Sequence, residues 1–198
     1  IMKHVLYALL TAVSILFTSC GPSSNTNNPQ VPNVPQPQPQ PQPEVTQKVV
    51  IGYLALDDWE FENLFPTIEW KYLTHINASF ARVKADGTLN IEPVRKRIES
   101  VRETAHKHNV KILISLAKNS PGEFTTAIND PKARKELIQQ IIAFTKEYKL
   151  DGFDIDYEEY DNWDKNFPSL LVFARGLYLA KEKNMLMTCA VNSRWLNY

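Results

Sequence analysis

Five acids fall within the segment Leu150–Tyr160, LDGFDIDYEEY, and four of them, Asp151, Asp154, Asp156 and Glu158, have spacing that could do chemistry. Clustered carboxyls suit general acid and base chemistry, in which a positioned group gives or takes a proton at the reacting atom. Phe153, Ile155 and Tyr157 alternate with the last three of these four, which is the period of a β-strand. Strand geometry then puts Asp154, Asp156 and Glu158 on one face, about 6.7 Å apart at each step of two. Like charges so placed repel, and a strand gains no stability from them. A function has to offset that cost. A calcium loop fits poorly, because Glu159 stands where the loop needs glycine for its sharp turn and the spacers are strand-like.

The surrounding pattern supplies a scaffold. Strands are predicted at Lys48–Leu54, Leu73–Val83, Val110–Ala117, Gly152–Glu158 and Met185–Val191. Helices are predicted over Pro93–Asn109, with proline in the first turn, and from Asp130-Pro131 to Tyr148, with Asp130 as N-cap. A further helix runs from about Asn166 to Lys183. Five near-continuously apolar strands separated by helices predict an α/β fold with a parallel sheet and helices outside. An open doubly wound sheet and a (β/α)₈ barrel both satisfy this order. The first strand, with Gly52-Tyr53-Leu54, lacks the glycines of a dinucleotide-binding turn. Barrel active sites sit at the C-terminal ends of strands, where these acids lie.

The segment Asp151, Gly152, Asp154, Asp156, Glu158 resembles the D-G-x-D-x-D-x-E signature of glycoside hydrolase family 18, the chitinases and endo-β-N-acetylglucosaminidases. Gly52-Tyr53-Leu54 and Leu73-Thr74-His75-Ile76-Asn77, with Ala78 and Phe80, are similar to that family's first two strands, so the resemblance covers about residues 48–198. Two positions depart. Ser115-Leu116-Ala117-Lys118 stands where the family often has S-x-G-G, and Tyr157 where many members have Trp.

The resemblance implies a TIM (β/α)₈ barrel and cleavage of β-1,4 bonds beside N-acetylglucosamine, in chitin or chitooligosaccharides. It implies substrate assistance, for which this family is an exception among retaining glycosidases. Glu158 is then the acid and later the base, Asp156 the partner of the substrate's acetamide, and Asp154 a neighbour sharing a proton with Asp156. Crowding is expected to raise the pKa of Glu158. Asp151 is expected to serve the turn into the strand. Expected sugar contacts are Tyr53, Asn77, Tyr157 and Trp195, with Trp163 as a further stacking candidate. No cofactor or metal is implied. N-glycans are the alternative substrate. A non-catalytic chitin-binding lectin on the same barrel is disfavoured by the presence of Glu158. Barrels of this kind typically take about 250 residues; residues 48–198 are therefore expected to hold the first five strands of an incomplete catalytic domain, inactive alone.

The amino-terminal part reads differently. Val5–Phe17 is an apolar run too short to span a bilayer, and Phe17-Thr18-Ser19-Cys20 resembles a bacterial lipoprotein signal with Cys20 as the lipidated residue. Residues 21–47, rich in Pro and Gln, predict an extended linker. A cell-envelope location, lipid-anchored, or secretion is the expectation. With only Cys20 and Cys189, a disulfide framework is excluded. Lys and Arg number 22 against 22 Asp and Glu, so no basic footprint points to nucleic acid. His75, His106 and His108 are expected to be structural or solvated.

Overall fold

The structure, a computed structural model, describes residues 48–159 and 163–190, with the side chains of 163 and 164 left aside. Contacts divide the chain at Glu44/Val45, and the first unit lies wholly outside the described residues. The expected signal segment, the linker, Cys20, Trp195 and the side chain of Trp163 lie outside the described residues.

The parallel strands are β1 (Ile51–Ala55), β2 (His75–Val83), β4 (Lys111–Lys118), β5 (Gly152–Ile155) and β6 (Leu186–Cys189). They lie side by side in chain order, and a two-residue strand, β3 (Leu89–Asn90), pairs antiparallel with the end of β2. This order decides between the two candidate architectures. A doubly wound sheet reverses its order at a switch point and so receives helices on both faces. Right-handed crossovers that always advance in one direction leave every helix on the same face, which is the barrel arrangement.

Side-chain alternation follows that layering. Leu54, Ile76, Ala78, Ile112, Ile114, Leu116, Phe153 and Ile155 point into one apolar core with the helices. The helices are α1 (Phe61–Leu64), α2 (Glu92–Arg95), α3 (Ile98–Lys107), α4 (Glu123–Asn129), α5 (Pro131–Glu147) and α6 (Trp163–Ala180). Leu137, Ile141 and Phe144 form the inward stripe of α5, each contributing about 1.5–3 kcal/mol on burial. The opposite face carries the polar residues Tyr53, Asn77, Ser115, Asp154 and Thr188, with Leu113 and Leu186 two residues earlier along their strands.

Three expectations about elements are met and three are corrected. Asp130 caps α5 as predicted, its carboxylate accepting from the Ala133 amide at 2.7 Å, with Pro131 in the first turn. β2 and β4 fall within a residue or two of their predicted bounds. The helix predicted over Pro93–Asn109 is instead broken between α2 and α3. Arg97, at the break, turns its guanidinium to the carbonyls of Leu56 and Asp58 and to Glu62, tying down the loop that follows β1. The short helix α4 carried too little periodicity to be read. The acidic strand, predicted through Glu158, ends at Ile155. One more backbone bond, Asp156 N–H to the Leu116 carbonyl at 3.0 Å, extends its pairing with β4.

Candidate active site

Asp154 is the centre of the polar face. It is buried to 1% exposure, in register with Ser115 of β4 and Thr188 of β6. Three hydroxyls donate to it: Tyr53 and Ser115 to Oδ2, each at 2.8 Å, and Thr188 to Oδ1 at 2.6 Å. A buried carboxylate needs such partners, since an ionised carboxylate only accepts and desolvation without donors is costly. The proton expected to be shared between Asp154 and Asp156 has no counterpart among the described hydrogen bonds. Hydroxyls from three neighbouring strands occupy the Asp154 oxygens instead.

Asp156 is half-buried just past the end of β5, and its pKa is pushed up to about 6. Loss of solvent is the largest cause, followed by the negative charges of Glu158 and Asp154; Lys118 works in the opposite direction. Glu158 is exposed, and its backbone carbonyl accepts from Lys118 Nζ at 3.3 Å. The three acids therefore form a gradient from the buried Asp154 through Asp156 to the solvent-facing Glu158.

The shift on Asp156 has a thermodynamic consequence. A carboxyl whose pKa is raised in the folded state favours folding below the ordinary carboxylate range, near 4, and that stability is lost as pH rises through about 6. At neutral pH the charged Asp156 therefore costs stability, about 1 kcal/mol after allowance for its half-exposure. Asp156→Asn should raise the melting temperature at pH 7.5 and leave it unchanged at pH 4. Equal differences at the two pH values, measured by calorimetry, would refute the assignment.

The other expected contacts are sorted by the fold. Tyr53 belongs to the cluster, but its hydroxyl is committed to Asp154; burial and that charge push the phenol well above its ordinary pKa. Asn77 is 1% exposed and in register with Tyr53, whose hydroxyl it meets, while its Oδ1 has no hydrogen-bond partner. Tyr157 is not brought to the acids. Its ring packs edge-on against Phe124 of α4, at 5.4 Å between centroids, and its hydroxyl lies 2.6 Å from Thr125 Oγ1. The alternation that points Asp156 to the polar face necessarily sends Tyr157 to the helical face. Trp195 and Cys20 lie outside the described residues.

Ser115 and Thr188 were missed by the sequence reading. The signal that could have found them is a single hydroxyl within an apolar strand, at the position facing Asp154. Glu159 was also missed, and its role is structural: it is buried and accepts from the amides of Gly122 and Thr125 at the start of α4. Gly122, at φ 82°, makes that turn accessible. Asp151 secures the opposite end of β5, accepting from the Ile112 amide at 2.8 Å and lying 2.7 Å from His106 Nε2. Two surface clefts, of about 720 and 350 Å³, lie away from Asp154, Asp156 and Glu158, one beside Asp86 and Asp130 and the other lined by Asp151, Lys149 and Glu182. Among the described residues no helix is long and apolar enough to cross a membrane, and no three His, Cys, Asp or Glu are grouped to hold a metal ion.

Comparison with known proteins agrees with this geometry. The family model for glycosyl hydrolases family 18 matches residues 49–195. A crystal structure of a chitinase from Bacteroides thetaiotaomicron is 99% identical, with a TM-score of 0.74, over 76% of this chain and 49% of that one. Chitinase B of Serratia marcescens is 27% identical over 144 residues, covering 57% of this chain and 28% of that protein. A family 18 chitinase from Cycas revoluta, solved with (GlcNAc)3, shares the fold at 23% identity and a TM-score of 0.63, over 71% of this chain and 45% of that one. The chain thus spans about half of the solved chitinases it resembles and about a quarter of the curated relative. Its parallel sheet is part of a (β/α)₈ barrel. By the extent of the family match and the acids at the C-terminal end of its fourth parallel strand, the chain belongs to glycoside hydrolase family 18.

Proposed function

We propose that this chain carries the acid half of an active site that hydrolyses β-1,4 bonds next to N-acetylglucosamine in chitin or its oligomers. The observation that carries the reading is the graded set Asp154, Asp156, Glu158, with Asp156 half-buried between a buried carboxyl and an exposed acid. Glu158 is placed at the rim, where it can protonate a glycosidic oxygen arriving from solvent. The nucleophile is the acetamide carbonyl oxygen of the sugar itself. It attacks the anomeric carbon as the leaving oxygen departs with the Glu158 proton, and a cyclic oxazolinium forms. Asp156 accepts from the acetamide N–H and balances the positive charge that develops on the ring. Glu158, now a carboxylate, takes a proton from water as that water opens the ring. Two displacements at one carbon return the original configuration.

Asp154 touches none of the reacting atoms in this scheme. Held by Tyr53, Ser115 and Thr188, it is fixed behind Asp156, and its proximity is one of the causes that raise the pKa of its neighbour. Its three hydroxyls also tie together β1, β4, β5 and β6, so the carboxyl is locked to the sheet rather than to one flexible side chain.

The reading is tested on chitin oligomers and an N-glycosylated protein side by side, with the first-formed anomer followed by proton NMR. The expected result is cleavage of the oligomers with the β-anomer formed first. An α-anomer first would overturn the substrate-assisted route, and cleavage of the glycoprotein alone would move the substrate to N-glycans.

A further inference from the structure

β4 ends in Ser115-Leu116-Ala117-Lys118, and this tail runs beside the acids. The Asp156 amide donates to the Leu116 carbonyl at 3.0 Å, and two residues further along both strands Lys118 Nζ donates to the Glu158 carbonyl at 3.3 Å. Residues 116–118 and 156–158 therefore continue the β4–β5 pairing after the ladder has stopped, first through the backbone and then through one side chain. Lys118 is partly buried. Among the described residues, the groups that act on Asp156 are Glu158 from its own segment, Asp154 from β5, the Tyr53 phenol from β1 and Lys118 from β4. Of these, Lys118 alone brings positive charge.

We propose that Lys118 is a positioning residue for the acid pair, pinning the backbone at Glu158 and setting a positive charge on the β4 side of Asp156. The inference rests on the roles given above to Asp156 and Glu158. The segment that carries the proton donor must be held if the donor is to meet the glycosidic oxygen, and misplacement by about 1 Å can cost about 100-fold in rate. Tyr157 and Glu159 are held by α4, and the contact described for residue 158 itself is the one from Lys118 to its carbonyl. The same ammonium lowers the proton affinity of Asp156 through space. Ala117-Lys118, which the sequence reading marked as a departure from two glycines, thus acquires a use: a glycine in place of Lys118 could provide neither the hydrogen bond nor the charge.

The test uses the intact natural protein that carries this chain, with Lys118→Met, Lys118→Gln and Lys118→Arg. In both neutral variants the acid limb of kcat/KM should move up by about half to one pH unit, because Asp156 loses the charge that favours its ionised form. At the optimum, kcat should fall about 3- to 10-fold with KM within about twofold, and Lys118→Arg should restore the limb. The Asp156 carboxyl carbon, titrated by NMR without any turnover, should shift upward in the same two variants. An unmoved Asp156 titration overturns the role of Lys118 whatever the enzyme's activity. A wild-type protein that cleaves no N-acetylglucosamine polymer overturns the proposed function and leaves the titration to decide the lysine.

Discussion

Glu158→Gln should lower hydrolysis of chitin oligomers by about 1000-fold or more while leaving oligosaccharide binding within about twofold. General acid catalysis by a positioned side chain contributes about 100- to 10,000-fold, and here one residue serves as acid in the first step and base in the second. Gln keeps the size and one acceptor oxygen but can neither give nor take the proton. Binding should survive because Glu158 is exposed and makes no side-chain hydrogen bond that positions another residue among those described.

A leaving group sharpens the experiment. An aryl glycoside whose phenol departs without protonation removes the need for the acid in ring formation, so Glu158→Gln should recover part of its loss on that substrate. Asp156→Asn should not recover, because the acetamide remains the nucleophile whatever leaves. Measured by single-turnover kinetics, equal losses for both variants on both substrates would remove the division of roles between the two acids. Undiminished turnover in Glu158→Gln would remove Glu158 from the reaction.

The second large effect concerns stability. Gly152→Ala should destabilise the folded unit by about 3 kcal/mol. A Cβ at residue 152 would lie 2.1 Å from the Leu186 carbonyl oxygen and 2.7 Å from its carbon, and both are backbone atoms of the neighbouring strand. Nothing there can rotate away. β5 and β6 would have to part, which stretches the bond from the Leu186 amide to the Asp151 carbonyl, now 2.8 Å, and draws Thr188 away from Asp154. Gly176→Ala provides the control: its Cβ would meet Ile138 Cδ1 at 2.5 Å, the free end of a flexible side chain, within a helix that gains about 1 kcal/mol from Ala over Gly. A drop of about 10 °C for Gly152→Ala, against little change for Gly176→Ala, is the expected calorimetric result. Coincident melting of Gly152→Ala and the wild type would show that the strands separate at no cost. The glycine of the acidic signature is thus a packing requirement of the sheet rather than part of the chemistry.

The sequence by itself determined the acids and most of their carrier. Alternation at Asp154, Asp156 and Glu158 is a local property, as are the apolar runs of β1, β2, β4, β5 and β6 and the Asp130-Pro131 start of α5. Propensity and periodicity act within a few residues, and these elements were legible for that reason. Where β5 stops was not legible, because the alternation runs on to Glu158 while the hydrogen bonds that define a strand come from β4 and β6. Tyr157 was placed with the sugar on resemblance, whereas pleat geometry commits it to Phe124 and Thr125.

The tertiary structure alone decided how the acids differ from one another. Four carboxyls within eight residues look equivalent in the chain, yet Asp151 holds the base of β5, Asp154 is buried under hydroxyls from three other strands, Asp156 has its proton affinity raised and Glu158 faces solvent. Desolvation and the identity of neighbours across the sheet set those differences, and both are fixed by residues 34 to 101 positions away, such as Thr188, Ser115 and Tyr53. The order of the strands was decided in the same way. Only pairing between distant segments shows that each crossover advances in one direction, leaving one face of the sheet free of helices for the acids to occupy.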